Sequence, residues 1–351
     1  MQRDMQILFD DIGSYPPPAG LSRDWVEETI ENDWNKFTVI LQEVMRQKIG
    51  AGLDVPTYPQ FQDMNHQFLR VINDPLKVDE PYLVSEKDAK IVEVYAIEPF
   101  AREYREKHGV RMPLRLCVTG PLELYLKEFG ATEYVDIYQV LARSIDRFIR
   151  RTMRGVRFSE VKVVSIDEPS LGISPQVMFD EDSVIDALSI AAESARSQKI
   201  DVEIHLHSPL HYRLACQTDN INVIGVESAA SPSYLDLIDK NILEETDSFL
   251  RTGIARTDIF TLTAVLNEKY DTNVWKEPSR MKEVVTEMET PGVIEKRLLR
   301  AYNVFGERIR YAGPDCGLGA WPTQEMAALL LRNTRRGMDR FHKHHSTDAE
   351  L

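Results

Sequence analysis

The sequence predicts an α/β protein, and within that class a single TIM-type (β/α)8 barrel. The chain has 351 residues, a usual length for such a barrel, and 43% of them are hydrophobic, enough to bury a large core. Short apolar runs alternate with longer amphipathic stretches, and eight such units favour closure of a parallel sheet. The alternative is an open doubly wound sheet. It is disfavoured because Gly13, Gly120 and Gly172 stand alone, without a Gly-rich phosphate loop.

Eight segments are short apolar runs that end in turn residues, as buried parallel strands do. They span residues 6–14, 51–57, 114–119, 162–167, 202–207, 222–227, 252–257 and 308–313. Amphipathic stretches lie between them, at 24–46, 86–107, 137–154, 183–197, 279–304 and 323–342. In the first stretch Trp25, Phe37 and Val44 recur at near-helical spacing, which predicts a helix with one buried stripe. No linker or repeat divides the chain, so we expect one domain over residues 1–351.

Charge and composition argue against several classes of function. The 42 Lys and Arg residues face 56 Asp and Glu residues, and the net charge of −14 disfavours binding to nucleic acid. There is no run of about 18 apolar residues, so we expect no membrane span. The N-terminus lacks the apolar core of a signal peptide, so we expect a cytoplasmic protein. Three scattered cysteines are too few for a disulfide framework.

Residues able to bind a metal follow three of the predicted strands, at the ends where (β/α)8 barrels carry their functional groups. His205 and His207 are two residues apart on a strand, so they can point the same way. Glu227 ends the next strand, and Cys316 follows the last one. Singly, each is more simply a core histidine, a surface acid or a packed thiol. Together they favour zinc, because nitrogen and sulfur ligands suit zinc better than magnesium or calcium.

Other residues at strand ends have less specific interpretations. Asp167 and Glu168 are adjacent, so one can enter the barrel mouth and bind an ammonium group while the other braces a loop or helix. The alternative for such a carboxylate is a cap on the next helix. Ser14 can bind a ligand or shape a turn. Cys117 and Cys216 lie in apolar and helical stretches, and we expect both in the core.

Several segments together resemble the C-terminal catalytic barrel of the cobalamin-independent methionine synthases. Their order and spacing follow that family over nearly the whole chain, and the IDEP and PDCGL segments are the most specific. The segments are 12–14 (IGS), 52–55 (GLDV), 63–64 (DM), 119–121 (TGP), 166–169 (IDEP), 205–207 (HLH), 226–228 (VES) and 314–318 (PDCGL).

The resemblance implies a zinc site on which the thiol of homocysteine is held as a thiolate and methylated. It assigns zinc to His205, Glu227 and Cys316, with His207 where the family has a cysteine. It assigns homocysteine contacts to three further residues, with the amino group held by the aspartate: Ile12, Ser14 and Asp167. The family's glutamate in that pocket corresponds to Gln60.

The departures from the family imply a different methyl donor. With His207 as a neutral ligand, one glutamate and one thiolate just cancel the charge of Zn²⁺, so a bound thiol should ionise readily but be a weaker nucleophile. The family's proton-donating histidine after the seventh strand is replaced near 256–258. The N-terminal folate-binding barrel of the long enzymes is not expected. These features resemble the short "core" methionine synthases, whose expected donor is methylcobalamin or a methylated corrinoid protein.

The preferred hypothesis is therefore methyl transfer from a methylated corrinoid to homocysteine, which yields methionine. Zinc-dependent alkyl transfer to another thiol such as coenzyme M is one alternative. Folate-dependent methionine synthesis is a second alternative. A non-catalytic barrel that holds zinc or a corrinoid is a distant third, which the His207 substitution keeps open.

Overall fold

Seven parallel strands form one curled sheet at the centre of the molecule, surrounded by helices. A computed structural model describes residues 7–173 and 179–348. The strands are β1 (Leu8–Phe9), β2 (Val78–Glu80), β3 (Leu83–Val84), β4 (Met112–Thr119), β5 (Ser159–Asp167), β6 (Asp201–Leu206), β7 (Val223–Val226), β8 (Phe249–Ala255) and β9 (Ile309–Pro314).

Helices follow most of these strands. They are α1 (Arg23–Asn32), α2 (Trp34–Gly50), α3 (His66–Ile72), α4 (Val92–Ala96), α5 (Glu98–His108), α6 (Pro121–Phe129), α7 (Val135–Gly155), α8 (Pro169–Ile173), α9 (Glu181–Ser197), α10 (Tyr212–Cys216), α11 (Lys240–Glu245), α12 (Ile259–Tyr270), α13 (Pro278–Met281), α14 (Pro291–Phe305) and α15 (Gln324–Asp348). Short 3-10 turns and one π-helical turn, Val284–Met288, complete the connections.

The strand order is β1-β9-β8-β7-β6-β5-β4, and every pairing in this sheet is parallel. Asp167 on β5 lies opposite His205 on β6, which in turn lies opposite Gly225 on β7. All carboxyl ends therefore meet at one edge of the curled sheet. The strands β4 to β9 overlap the predicted segments from 114–119 to 308–313, so the predicted alternation of strand and helix is observed there.

The predicted strand at 51–57 is wrong as a regular strand. Only two single bridges form, one between Val55 and Asp10 and one between Thr57 and Arg115. Pro56 between them has no N–H to donate, which limits a ladder, although its carbonyl accepts from the Arg115 N–H at 2.9 Å. This bridging segment, residues 55–57, thus contacts both edge strands of the seven-stranded sheet.

The first strand is also shorter than the predicted 6–14. Regular pairing covers Leu8 and Phe9 only, and Gln6 lies outside the described residues. Beyond Phe9 the chain carries buried carboxylates, Asp10 and Asp11, whose side chains bind groups inside the sheet and on the bridging segment. The chain therefore leaves the ladder early.

Three predicted helices are interrupted. The stretch 24–46 divides at Asp33, whose side chain accepts from the Lys36 N–H at 3.1 Å and so starts α2. Within 86–107 the helices begin only at Val92 and are again divided at Ile97. Within 279–304 a π-helical turn precedes Pro291, which begins α14. An antiparallel hairpin of β2 and β3, absent from the predicted elements, lies outside the main sheet.

Four charged side chains with no solvent exposure fill the interior of the curled sheet: Asp10, Arg115, Glu203 and Arg251. Arg115 binds both carboxylates, Asp10 and Glu203, the latter at 2.5 Å between Nη1 and Oε2. Arg251 Nε lies 3.0 Å from Asp10 Oδ1. Two cations and two anions therefore neutralise one another directly beneath the ends of the strands.

A second buried ion pair fastens the bridging segment to the end of the first strand. Lys48 of α2 places Nζ 2.7 Å from Asp11 Oδ2 and donates to the carbonyl of Thr57 at 2.7 Å. Asp11 Oδ1 accepts from the Thr57 N–H at 2.8 Å. Lys48 and Asp11 are 0% and 5% exposed, so each charge depends on the other for compensation.

In residues 7–173 and 179–348, no helix has both the length and the apolar character needed to cross a lipid bilayer.

We expect Lys48→Met to lower the free energy of unfolding by about 3–5 kcal/mol, because it leaves the Asp11 carboxylate buried without its cation. Denaturant titration followed by circular dichroism measures this change. Lys127→Met on α6 removes an exposed lysine and serves as the control, with a change within about 0.5 kcal/mol. Equal effects of the two substitutions would show that the buried pair does not hold the bridging segment.

Candidate metal centre

Four side chains converge at the carboxyl ends of the strands: His205, His207, Glu227 and Cys316. One ligand atom of each lies within 4.8 Å of those of the others, and among the described residues this is the group with the geometry to hold a metal ion. His205 lies on β6 and His207 just beyond it, while Glu227 and Cys316 follow β7 and β9. The parallel register brings the ends of these strands together.

The spacing within the cluster suits a tetrahedral ion. Glu227 Oε1 lies 3.7 Å from His205 Nε2 and 3.6 Å from His207 Nε2. Ligand atoms about 2.0–2.3 Å from a zinc ion at tetrahedral angles are separated by about 3.3–3.8 Å. The two imidazole rings are 5.8 Å apart and inclined at 70°, so both direct a nitrogen to the same carboxylate without stacking.

The ring nitrogens of His205 are buried without a hydrogen-bond partner among the described residues, and a metal ion could fill that role for one of them. The side chain is 2% exposed, and within the described part of the chain neither Nδ1 nor Nε2 has a hydrogen-bond partner. A buried polar atom without a partner costs about 1–3 kcal/mol. A metal at the centre of the four side chains would satisfy Nε2, and the donor set of two imidazoles, a carboxylate and a thiol suits zinc.

Burial disfavours the ionised forms of Glu227 and Cys316. It raises the pKa of Glu227 to about 8, with the charge of Asp315 adding to the effect. Burial, together with the Glu227 carboxylate, also raises the pKa of Cys316 well above its usual range. Burial lowers the pKa of both histidines, so their rings are neutral and able to ligate. A divalent cation would therefore release protons as it binds.

Asp167 ends β5 and lies opposite His205 on β6. Its Oδ1 accepts from the Ser165 hydroxyl at 2.8 Å, and its negative charge contributes to the raised pKa of the Cys316 thiol. Burial raises the pKa of Asp167 to about 7, and the nearby carboxylate of Glu203 adds to that shift. A cationic group placed beside Asp167 would restore its ionised form.

The loop that follows β1 and contains Ser14 lies against the loop that carries Cys316. The Leu318 N–H donates to the Ser14 carbonyl at 2.6 Å, and a Cβ on Gly317 or Gly319 would overlap Ser14. Gln60 is 7% exposed and donates from Nε2 to the Tyr58 hydroxyl at 3.1 Å. The structure thus brings Ser14 beside the cysteine loop.

Ile12, on the same segment as Ser14, is buried at 2% exposure, with no polar side-chain group to offer a ligand. The assignment of Ile12, Ser14, Gln60 and Asp167 as substrate contacts stays a prediction.

The carboxylate after Asp167 has a purely structural partner. Glu168 accepts from the N–H groups of Leu122 and Glu123 at 2.8 and 2.9 Å, which caps the start of α6. Adjacent strand residues thus face opposite sides, as the sequence predicts. Cys117 and Cys216 are buried and lie outside the ligand cluster.

Two buried carboxylates around the site were not singled out in the sequence. Asp315 accepts from the N–H groups of Ala229 and Ala230 at 2.9 and 2.7 Å and so shapes the loop behind Glu227. Glu203 lies beneath His205, with Oε1 3.9 Å from Nδ1. The signal for Glu203 is its spacing, because it precedes His205 by two residues on one strand and must share its face.

After the seventh predicted strand, at 252–257, the chain has an arginine, Arg256, and no histidine in residues 256–258. Arg256 donates to both carboxylate oxygens of Asp258, at 2.9 and 2.5 Å, and its backbone N–H donates to Glu289 at 3.0 Å. Trp321 donates from its indole N–H to the Thr257 carbonyl at 3.1 Å. These bonds fix the loop in one arrangement.

Comparison with known proteins gives a likeness in fold. No protein-family model matches the chain. No curated protein matches it either. A B12-independent methionine synthase from Shewanella sp. W3-18-1, solved in complex with selenomethionine, is similar with a TM-score of 0.64 and 14% identity, over 97% of this chain and 99% of that one. A Xaa-Pro dipeptidase with bound methionine has a TM-score of 0.40 and 10% identity, over 95% and 72%, and supports no inference.

We expect the purified protein to bind about one zinc ion per chain and both His207→Ala and Cys316→Ala to lower that content, because each removes a ligand. Mass spectrometric metal analysis after dialysis against a weak chelator measures the content. Cys216→Ala removes a buried thiol of α10 and should leave the zinc content unchanged. The site assignment is wrong if neither ligand substitution reduces bound zinc.

Proposed function

We propose that this chain is a zinc-dependent thiol methyltransferase that makes methionine from homocysteine, with methylcobalamin or a methylated corrinoid protein as the donor. The observation that carries the proposal is the convergence of His205, His207, Glu227 and Cys316 within 4.8 Å. The fold shared with a B12-independent methionine synthase supports it at the level of architecture. The proposal includes an eight-stranded (β/α)8 barrel, closed by the bridging segment 55–57, as one catalytic domain in the cytoplasm.

The zinc ion that His205, His207, Glu227 and Cys316 would hold would supply Lewis acidity, which lowers the pKa of a thiol. The residues of the chain supply the setting. His205 is almost fully buried, which limits water on the inner side of the cluster, while His207, with a side chain 40% exposed, faces the approach from solvent. The thiol and the methyl donor would therefore meet on the His207 side.

Asp167 is the residue that distinguishes homocysteine from other thiols. Its carboxylate lies opposite His205 and its charge raises the pKa of the Cys316 thiol. It would bind the substrate's ammonium group, which in turn would keep the carboxylate ionised. A sulfonate thiol such as coenzyme M has no ammonium group and would need a cation at this position. The carboxylate therefore favours an amino acid as the acceptor.

The loop at 256–258 favours a corrinoid donor over methyl-folate. A folate nitrogen must be protonated as it departs, whereas a cob(I)alamin leaving group needs no proton. Arg256 is paired with Asp258 and remains charged, because that ion pair raises its pKa. It cannot act as the general acid that a departing folate needs.

We expect Cys316→Ser to reduce methionine formation by more than about 100-fold, because it removes a zinc ligand. Substitutions of residues that only hydrogen-bond to a ligand typically cost about 10- to 100-fold. The assay follows methionine formed from homocysteine and methylcobalamin by mass spectrometry. Since the residue lies on a loop, the free energy of unfolding should change by less than about 1 kcal/mol.

Methyl-tetrahydrofolate in its triglutamyl form should give weak turnover or none. Near-normal methyl transfer by Cys316→Ser would remove the basis of the proposed chemistry. Efficient use of the folate would instead overturn only the choice of donor.

We expect Asp167→Asn to raise the KM for homocysteine by about 10- to 100-fold, since a hydrogen bond to a charged group contributes about 1.5–3 kcal/mol. The same substitution should not lower turnover with coenzyme M as the acceptor, because that thiol has no ammonium group to lose and its sulfonate is repelled by the carboxylate. A wild-type enzyme that methylates coenzyme M faster than homocysteine would contradict the assignment of the acceptor.

A further inference from the structure

Glu203 lies directly beneath the first ligand of the proposed metal centre. It precedes His205 by two residues on β6, so both side chains enter the interior of the curled sheet. The side chain is 0% exposed, and Oε1 lies 3.9 Å from Nδ1 of His205. That separation is about 1 Å longer than an N–H···O hydrogen bond, so a small rotation of either side chain would close it.

Both facing atoms lack a partner within residues 7–173 and 179–348. Oε1 of Glu203 and Nδ1 of His205 are buried polar atoms with no hydrogen bond. The other carboxylate oxygen of Glu203 is engaged by Arg115 at 2.5 Å. The carboxylate is therefore held on one side by a guanidinium and offers its remaining oxygen to the imidazole.

The neighbouring strand is built to leave room for that oxygen. Gly225 on β7 lies opposite His205, and a Cβ at this position would overlap Oε1 of Glu203. Any residue other than glycine would therefore displace the oxygen from its place beside Nδ1. The space left by Gly225 therefore supports a contact between Glu203 and His205 independently of the missing hydrogen bonds.

We propose that Glu203 is a positioning residue that accepts a hydrogen bond from the Nδ1–H of His205 and thereby fixes the imidazole with its Nε2 lone pair toward Glu227, His207 and Cys316. Metal-binding histidines commonly donate their second ring N–H to a carboxylate, which sets both the tautomer and the ring orientation. The inference deepens the proposed zinc site, but it also concerns the tautomer of His205 in the metal-free protein, which is measurable without zinc or substrate.

The first test reads that tautomer directly. Two-bond ¹H–¹⁵N correlation spectra of ¹⁵N-histidine-labelled, metal-free protein distinguish Nδ1–H from Nε2–H rings, and a His205→Gln variant identifies the resonances of this ring among the eight histidines. We expect His205 as the Nδ1–H tautomer. An Nε2–H ring in the wild-type protein would overturn the proposal.

Glu203→Gln should reverse the tautomer. Arg115 can only donate, so the amide oxygen of the new side chain must face Arg115 and its NH2 group must face His205. Nδ1 of His205 then becomes the acceptor, and the proton moves to Nε2, where it opposes metal binding. We expect a 10- to 100-fold loss of zinc affinity, measured by competition with a chromogenic chelator. An unchanged tautomer and unchanged affinity would refute the role of Glu203.

Gly225→Ala tests the same hydrogen bond with the carboxylate intact. We expect it to weaken zinc binding by about 10-fold, at the low end of the range for such partners, and to perturb the Co²⁺ absorption spectrum. Asp146→Asn is the matched control, because Asp146 is a buried carboxylate bound to Ser194 between α7 and α9. It should lower stability without changing zinc affinity or the tautomer of His205. Equal losses of zinc affinity in the control would show that the effect is merely structural.

The outcomes separate the two proposals. If His205 is the Nδ1–H tautomer and Glu203→Gln reverses it, the positioning role stands even if the protein binds no zinc, in which case the proposed function fails. If zinc binds and methyl transfer proceeds but Glu203→Gln does not change the tautomer of His205, the proposed function stands and the positioning role is wrong.

Discussion

The arrangement of the site depends on a layer of four buried charges that neutralise one another inside the curled sheet. Asp10, Arg115, Glu203 and Arg251 are all 0% exposed, and they bind one another across strands that are far apart in sequence. Each buried ion costs several kcal/mol of hydration, so removal of any one would leave its partner uncompensated. Because Arg115 on β4 binds Asp10, just beyond β1, and Glu203 on β6, this layer also links the end of β1 to β4 and β6. One member of this layer, Glu203, precedes His205 of the candidate metal centre by two residues on β6.

Glycines on neighbouring strands provide the space that the buried carboxylates need. A Cβ on Gly225 would overlap Glu203, and a Cβ on Gly253 would overlap Asp315, which holds the loop behind Glu227. Each of these buried carboxylates therefore depends on a glycine of the neighbouring strand for its space. With that space available, buried carboxylates support the residues of the candidate site from within the sheet, in addition to the support from the loops.

The sequence pattern predicted the strands that have long ladders. It failed where the path of the backbone depends on single side chains. The apolar runs from β4 to β9 alternate with amphipathic helices, so both their type and their parallel arrangement follow from periodicity. The segment 55–57 has the same apolar character, but Pro56 prevents a regular ladder, and its attachment depends on Lys48 and Asp11, which periodicity does not reveal. That His205 and His207 lie together was predictable because two-residue spacing on a strand fixes a common face, and their binding of a metal stays a prediction. The role of Asp315 was not predictable, since it depends on backbone N–H groups 85 and 86 residues away.

The exposure of the two histidines gives them different functions within one cluster. His205, buried and set above Glu203, is fixed by the interior of the protein, whereas His207 has a side chain 40% exposed and contacts the cluster through Glu227. In the proposed zinc site, a neutral imidazole in place of a second thiolate would leave the ligand charge at one glutamate and one cysteine, which would just balance a divalent zinc ion. A substrate thiol entering such a centre would bring the first unbalanced negative charge. Its ionisation would therefore be favoured by the whole proposed centre, and its reduced nucleophilicity would be matched by a reactive methyl donor. Under the proposed function, the replacement of one ligand would thus link the electrostatics of the metal centre to the class of donor.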